Sequence, residues 1–93
     1  MRVVISVRAE DNLSSIQRYL SKRNPPAARN TVQRLRQAID LLADFPSLGP
    51  AWKGSTRAMT VTGLPYRVHY RIEEAADRVV VITVAHVRQR PPV

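Results

Sequence analysis

His69 stands between Arg67 and Arg71 in Tyr66-Arg67-Val68-His69-Tyr70-Arg71-Ile72, and that spacing sets the first chemical question. On an extended strand alternate side chains share a face, so Arg67, His69 and Arg71 fall together while Tyr66, Val68, Tyr70 and Ile72 point the other way. An imidazole flanked by two guanidinium groups is depressed in pKa and stays neutral. A neutral imidazole can take a proton from an RNA 2′-hydroxyl, and the adjacent cations can stabilise charge developing at phosphorus. His86, followed by Arg88 and Arg90, is the second titratable candidate. The blander reading is that a half-buried antiparallel sheet always shows such a polar row on its wet side.

Other chemistries find no support in the residues. With 0 Cys there is no thiolate nucleophile, disulfide framework or thiolate zinc site. His69 and His86 alone make a poor ligand set, so no metal and no cofactor is expected. Gly49, Gly54 and Gly63 lack the spacing of a phosphate-binding loop. Glu10-Asp11 suits a helix start and Glu73-Glu74 a turn, which leaves no paired carboxylates for acid–base work. No segment suggests a serine–histidine arrangement.

What remains is charge. The 93 residues carry 15 Lys+Arg against 7 Asp+Glu, a formal net charge of +8. Almost all of the basic residues are arginine, whose planar fork favours bidentate contact with carboxylate or phosphate. Between Ser47 and Ile72 there are four basic residues and no acidic one. A one-signed surface of this kind attracts acidic partners. The length fits one domain over residues 1–93. The apolar stretch Val3 to Ile5 is too short for a signal peptide, and no run approaches the ~20 residues of a membrane span. A small soluble protein of the reducing cytoplasm is expected.

The elements that must position these residues follow from periodicity. Arg2 to Val7 is β-branched and reads as a strand, with a turn near Arg8-Ala9. Ala9 to Lys22 reads as a helix on Leu13, Ile16 and Leu20. Asn24-Pro25-Pro26 breaks it. A second helix opens at Pro26, carries the stripe Ala28, Val32, Leu35, Ile39 and Leu42, and ends near Asp44-Phe45-Pro46. Pro46 to Gly54, around Trp52, is a loop, with Trp52 expected to plug an end of the sheet. The period then changes to that of strands: Arg57 to Val61, Tyr66 to Ile72, and Val79 to Ala85, with Glu73 to Asp77 as a hairpin tip. The order is β-α-α-β-β-β, an α+β fold with an antiparallel sheet and both helices on one face. Arg29, Arg34 and Arg36 on a helix that follows another helix loosely suggest helix-turn-helix geometry, but the Pro-Pro turn and the sheet that follows argue against it.

The ordered set of segments resembles the RelE/ParE superfamily, the toxins of type II toxin–antitoxin modules. Ala9-Glu10-Asp11-Asn12-Leu13-Ser14-Ser15-Ile16 is similar to its first helix, Asn24-Pro25-Pro26-Ala27-Ala28 to its second helix opening, and Leu42 to Gly49 to the end of that helix. Thr56-Arg57 with Gly63 to Ile72 resembles the hairpin, and Val80 to His86 with Arg88 and Arg90 the close. The resemblance implies a cytoplasmic toxin neutralised by a cognate antitoxin whose acidic, flexible C-terminal segment wraps it. Two modes of action are implied. ParE-like members poison DNA gyrase, whereas RelE-like members cut ribosome-bound mRNA. No tyrosine follows Tyr70, and the Asn24-Pro25-Pro26-Ala27-Ala28 opening with the Tyr66/Tyr70 hairpin looks more like ParE. Lys53, Arg57, Arg67, Arg71, Arg88 and Arg90 are the expected contacts for antitoxin or target. Arg67, His69, Arg71 and His86 would be the catalytic set if the chain were a ribonuclease.

Overall fold

A computed structural model describes residues 1–89; Arg90, expected at the contact surface, lies outside the described residues. The chain runs β1 (Arg2–Ile5), α1 (Val7–Ser21), α2 (Pro25–Leu41), β2 (Thr56–Thr60), β3 (Tyr66–Glu73), a single 3₁₀ turn (Glu74–Ala76) and β4 (Arg78–His86). The sheet order is β1-β4-β3-β2. The expected α+β order is therefore present. The antiparallel expectation holds for β2, β3 and β4, but β1 runs parallel to β4 and makes the sheet mixed. After the two helices the chain re-enters at the edge opposite β1, and the antiparallel reversals β2–β3 and β3–β4 bring β4 alongside β1 in the same direction.

Helix starts are set by side-chain caps. Ser6 is extended, and its Oγ accepts the Ala9 N–H at 3.0 Å while donating to the Ile82 carbonyl at 2.9 Å. The cap ends β1 at Ile5 and begins α1 two residues earlier than periodicity suggests. Asn24 Oδ1 accepts the Ala27 N–H at 3.2 Å, and Pro25 and Pro26 occupy the first turn of α2, where no N–H is needed.

The α2 stripe is the centre of the core. Leu35, Ile39 and Leu42 are wholly buried against Leu13 of α1 and against Val68, Tyr70, Val79 and Val81 of the sheet. Each such aliphatic side chain contributes about 1.5–3 kcal/mol on burial. Asn12 of α1 completes the sheet where β1 stops: its Oδ1 accepts the Val84 N–H at 3.0 Å and the Thr83 hydroxyl at 2.7 Å. Glu10 and Arg36 tie the two helices at 2.8 Å on the surface.

Between His69 and Tyr70 the β3–β4 register shifts by one residue, leaving Ile82 of β4 without an opposite number. This bulge sharpens the local twist of the strand pair. At the far end of the pair Gly63, with φ of 79°, makes the β2–β3 turn that a branched residue could not.

Candidate functional site

β3 sorts its side chains as alternation predicts. Tyr66, Val68 and Tyr70 lie buried on the helix side, and Ile72 packs at the core's margin. Arg67, His69 and Arg71 take the other side. That side is not open along its length, which corrects the sequence expectation. His69 is only 2% exposed. The 46–55 loop folds over it and sets the Trp52 ring edge-on to the imidazole, with 5.4 Å between centroids. The Arg67 guanidinium lies over the same indole at 4.8 Å. Trp52 therefore covers the middle of this face rather than plugging an end of the sheet.

Besides backbone bonds from Ala58 N–H to the Pro50 carbonyl and from Trp52 N–H to the Thr56 carbonyl, both 3.0 Å, side chains hold that loop. The Tyr70 hydroxyl crosses the core to donate to the Pro46 carbonyl at 2.7 Å and accept from the Gly49 N–H at 2.8 Å. Arg57 donates to the Gly49 carbonyl at 2.8 Å. Gly49 itself passes so close that a Cβ there would sit 2.9 Å from the Ala58 carbonyl oxygen. Because Arg57 is paired directly with Tyr70, the two share a face, so Arg57 is on the helix side and is spent on the loop rather than on the exposed basic row.

The remaining expected contacts divide. Lys53 is exposed in the turn before β2, where its carbonyl accepts the Thr56 hydroxyl at 2.6 Å. Arg71 is half-buried and bound to Glu73 at 2.7 Å, and Glu73 also takes Arg78 at 2.6 Å. Hydrogen bonds from Arg78 and then Arg71 hold the Glu73 carboxyl below its ordinary pKa. Arg71 is thus substantially neutralised, whereas Arg67 stays available as a cation on an aromatic plate. Arg88 is exposed in the turn after β4, and its N–H donates to His86 Nδ1 at 3.1 Å. That bond places the proton of a neutral His86 on Nε2.

The four residues of the RNA-cleavage reading do not converge. His86 pairs directly with Tyr66 and packs edge-on against its ring at 5.6 Å, so it belongs to the helix side. There it lines a groove of about 460 Å³ with Asn12, Ile16, Tyr19, Tyr66 and Val84. Arg67, His69 and Arg71 are on the opposite face. The His69 pKa is lowered, first by burial and only second by the Arg67 charge. The direction matches the sequence expectation, but the main cause differs. A base buried beneath an indole is neutral yet out of reach of a substrate hydroxyl in this conformation.

Sequence reasoning missed Tyr70 and Glu73 as organising residues. Tyr70 reads as one more core aromatic in a period-2 strand, and Glu73 as part of a turn. The available signal for Glu73 was its spacing of two from Arg71, which puts acid and base on one strand face; nothing in the sequence marks the reach of Tyr70 to the loop.

Comparison with known proteins fits this architecture. Residues 3–91 match the model of the ParE toxin of the type II toxin–antitoxin system, parDE. The chain belongs to the ParE toxin family. It is 35% identical to Y4kP of Sinorhizobium fredii, a protein that carries a toxin's name, over 98% of this chain and 93% of that one. It is 31% identical to toxin RelE2 of Caulobacter vibrioides over 85% of this chain and 89% of the relative. In fold it resembles a chain of the chromosomal ParDE system of P. aeruginosa, with a TM-score of 0.80 at 17% identity over 92% of this chain and 95% of the other. The intact E. coli RelBE complex contains a similar chain, with a TM-score of 0.63 at 13% identity over 95% and 98%. This ParE-family chain is the toxin of a type II toxin–antitoxin system. Among its described residues no helix is long and apolar enough to cross a membrane.

Proposed function

We propose that this toxin acts by binding rather than by chemistry, with DNA gyrase as its target and a cognate antitoxin as its inhibitor. The observation that carries the reading is the division of the candidate catalytic set: His86 is on the helix side of the sheet, and His69 is buried under Trp52 on the other. Ribonuclease action needs a base, a phosphate-stabilising cation and a substrate groove on one surface. Family membership in ParE supports the same reading.

The antitoxin's part follows from the surface. Leu41, Phe45 and Leu48 are each about half exposed along the end of α2 and the loop behind it. Apolar side chains left open on a chain of net charge +8 suit an acidic, partly apolar segment that orders itself as it wraps the toxin. Solved structures of this fold include toxin–antitoxin assemblies, the P. aeruginosa ParDE system and the E. coli RelBE complex among them.

The test is a supercoiling assay with purified gyrase and relaxed plasmid. The full chain is expected to block supercoiling, and added antitoxin to restore it. Unimpaired supercoiling, together with cleavage of translated mRNA, would replace this reading with the ribosome-dependent ribonuclease.

A further inference from the structure

The helical hairpin carries a second basic surface, separate from the sheet. Residues 12–39 contain six basic side chains and no acidic one. Two of the six are tied to other elements, Arg34 donating to the Thr62 carbonyl and Arg36 pairing with Glu10, and Arg18 donates locally to the Ser15 hydroxyl at 3.0 Å. The other four, Arg18, Lys22, Arg23 and Arg29, are exposed around the α1–α2 turn, and none forms an ion pair among the described residues.

Their placement sets like charges side by side at the hairpin turn. Arg18, in the last turn of α1, and Lys22, its C-cap, are one turn apart, where the helix dipole favours each cation but their like charges repel. The positive end of α2 begins beside them, and its first turn holds no acidic residue to offset either charge. Between Arg18 and Lys22 is an open depression of about 460 Å³ whose other walls are Ser14, Gln17 and Ser21. Hydroxyl and amide groups between two cations are the donor set that phosphodiester oxygens use. Arg23 is stacked over Tyr19 at 5.2 Å, which fixes its fork at the edge of the same surface.

We propose that the α1–α2 end of the hairpin binds the phosphate backbone of a nucleic acid duplex without reading its sequence. The side chains that line the depression all end in polar or charged groups, and with no acidic residue between positions 12 and 39 the surface matches a one-signed polyanion. The surface acts independently of whether the toxin's target is gyrase or mRNA, because it lies on the helices and not on the sheet.

Fluorescence anisotropy of the full chain tests this, using a mixed-sequence 20-bp DNA duplex, an RNA duplex of the same length and a Glu-rich peptide. The variant is R18Q/K22Q/R23Q/R29Q, compared with R67Q in the sheet. Four phosphate contacts correspond to a salt slope steeper by about 3–4, so wild type should lose about 100-fold more duplex affinity than the hairpin variant between 50 and 200 mM salt. DNA and RNA duplexes should lose alike, and R67Q should keep the steep slope. The hairpin variant should keep the wild-type circular dichroism spectrum and a single cooperative melt, because all four side chains are exposed. An unchanged salt slope in the hairpin variant overturns the proposal. So does loss of peptide binding with duplex binding intact, or a strong preference for one duplex sequence.

Discussion

Tyr70→Phe isolates the hydroxyl that fastens the 46–55 loop to the core. The ring is fully buried and phenylalanine fills its volume, so the perturbation is confined to one oxygen. That oxygen donates to Pro46 and accepts from the buried Gly49 N–H. Losing the first bond costs about 1 kcal/mol net, and leaving the Gly49 N–H unpaired costs about 1–3 kcal/mol more. The combined loss is about 2–4 kcal/mol, which lowers the melting temperature of a domain this size by roughly 10–20 °C. The same loop carries the only tryptophan, so its emission reports directly on the cover over His69. Thermal unfolding followed by circular dichroism should show the drop, and Trp52 emission should shift to longer wavelength already in the folded variant. Tyr66→Phe, on the same strand face but beside the groove, is the control and should stay within about 0.5 kcal/mol of wild type. If Tyr70→Phe melts within about 2 °C of wild type and Trp52 emission is unmoved, the loop is held by other contacts and the reasoning fails.

The lowered His69 pKa has a definite sign for stability. The unfolded chain binds a proton first, so the contribution is complete above about pH 6.5 and is lost as pH falls toward the folded-state value; urea midpoints between pH 7 and 5 should fall more in wild type than in His69→Phe. Ser6→Ala removes both the α1 cap and the tether to Ile82. It should cost about 1–2 kcal/mol, read as a lower urea midpoint with an unchanged denaturant slope.

The helices and the inner strands were legible because burial imposes a period on the sequence. Leu35, Ile39 and Leu42 recur at helical spacing, and Val68 and Tyr70 at strand spacing, and all are buried where those periods place them. The boundary at Ser6 was not legible, since a serine after a β-branched run signals a cap only once its Oγ has found Ala9. The parallel direction of β1 depends on where the chain re-enters the sheet, which no local pattern records. His69 failed for a related reason: alternation assigns a face, but whether that face meets water depends on a loop brought over it by Tyr70, Gly49 and Arg57. Arg67, His69 and Arg71 do share a face, but Arg57, expected beside them, does not. Partial neutralisation of Arg71 was available in its i, i+2 spacing from Glu73 on one strand face, whereas the second guanidinium on Glu73 needed the cross-strand register, which places Arg78 opposite it.

The pairing of β1 with β4 also times the toxin's appearance. Ser6 and the Ile82 carbonyl it grips are 76 positions apart, and β4 lies between β1 and β3, so the sheet has no middle until that strand is made. A nascent or shortened polypeptide lacking β4 leaves β1 with no neighbour, Asn12 with nothing to hold, and Val68 and Tyr70 half uncovered. Incomplete translation products should therefore be harmless and readily degraded, and toxicity should arrive in a single step near the end of synthesis.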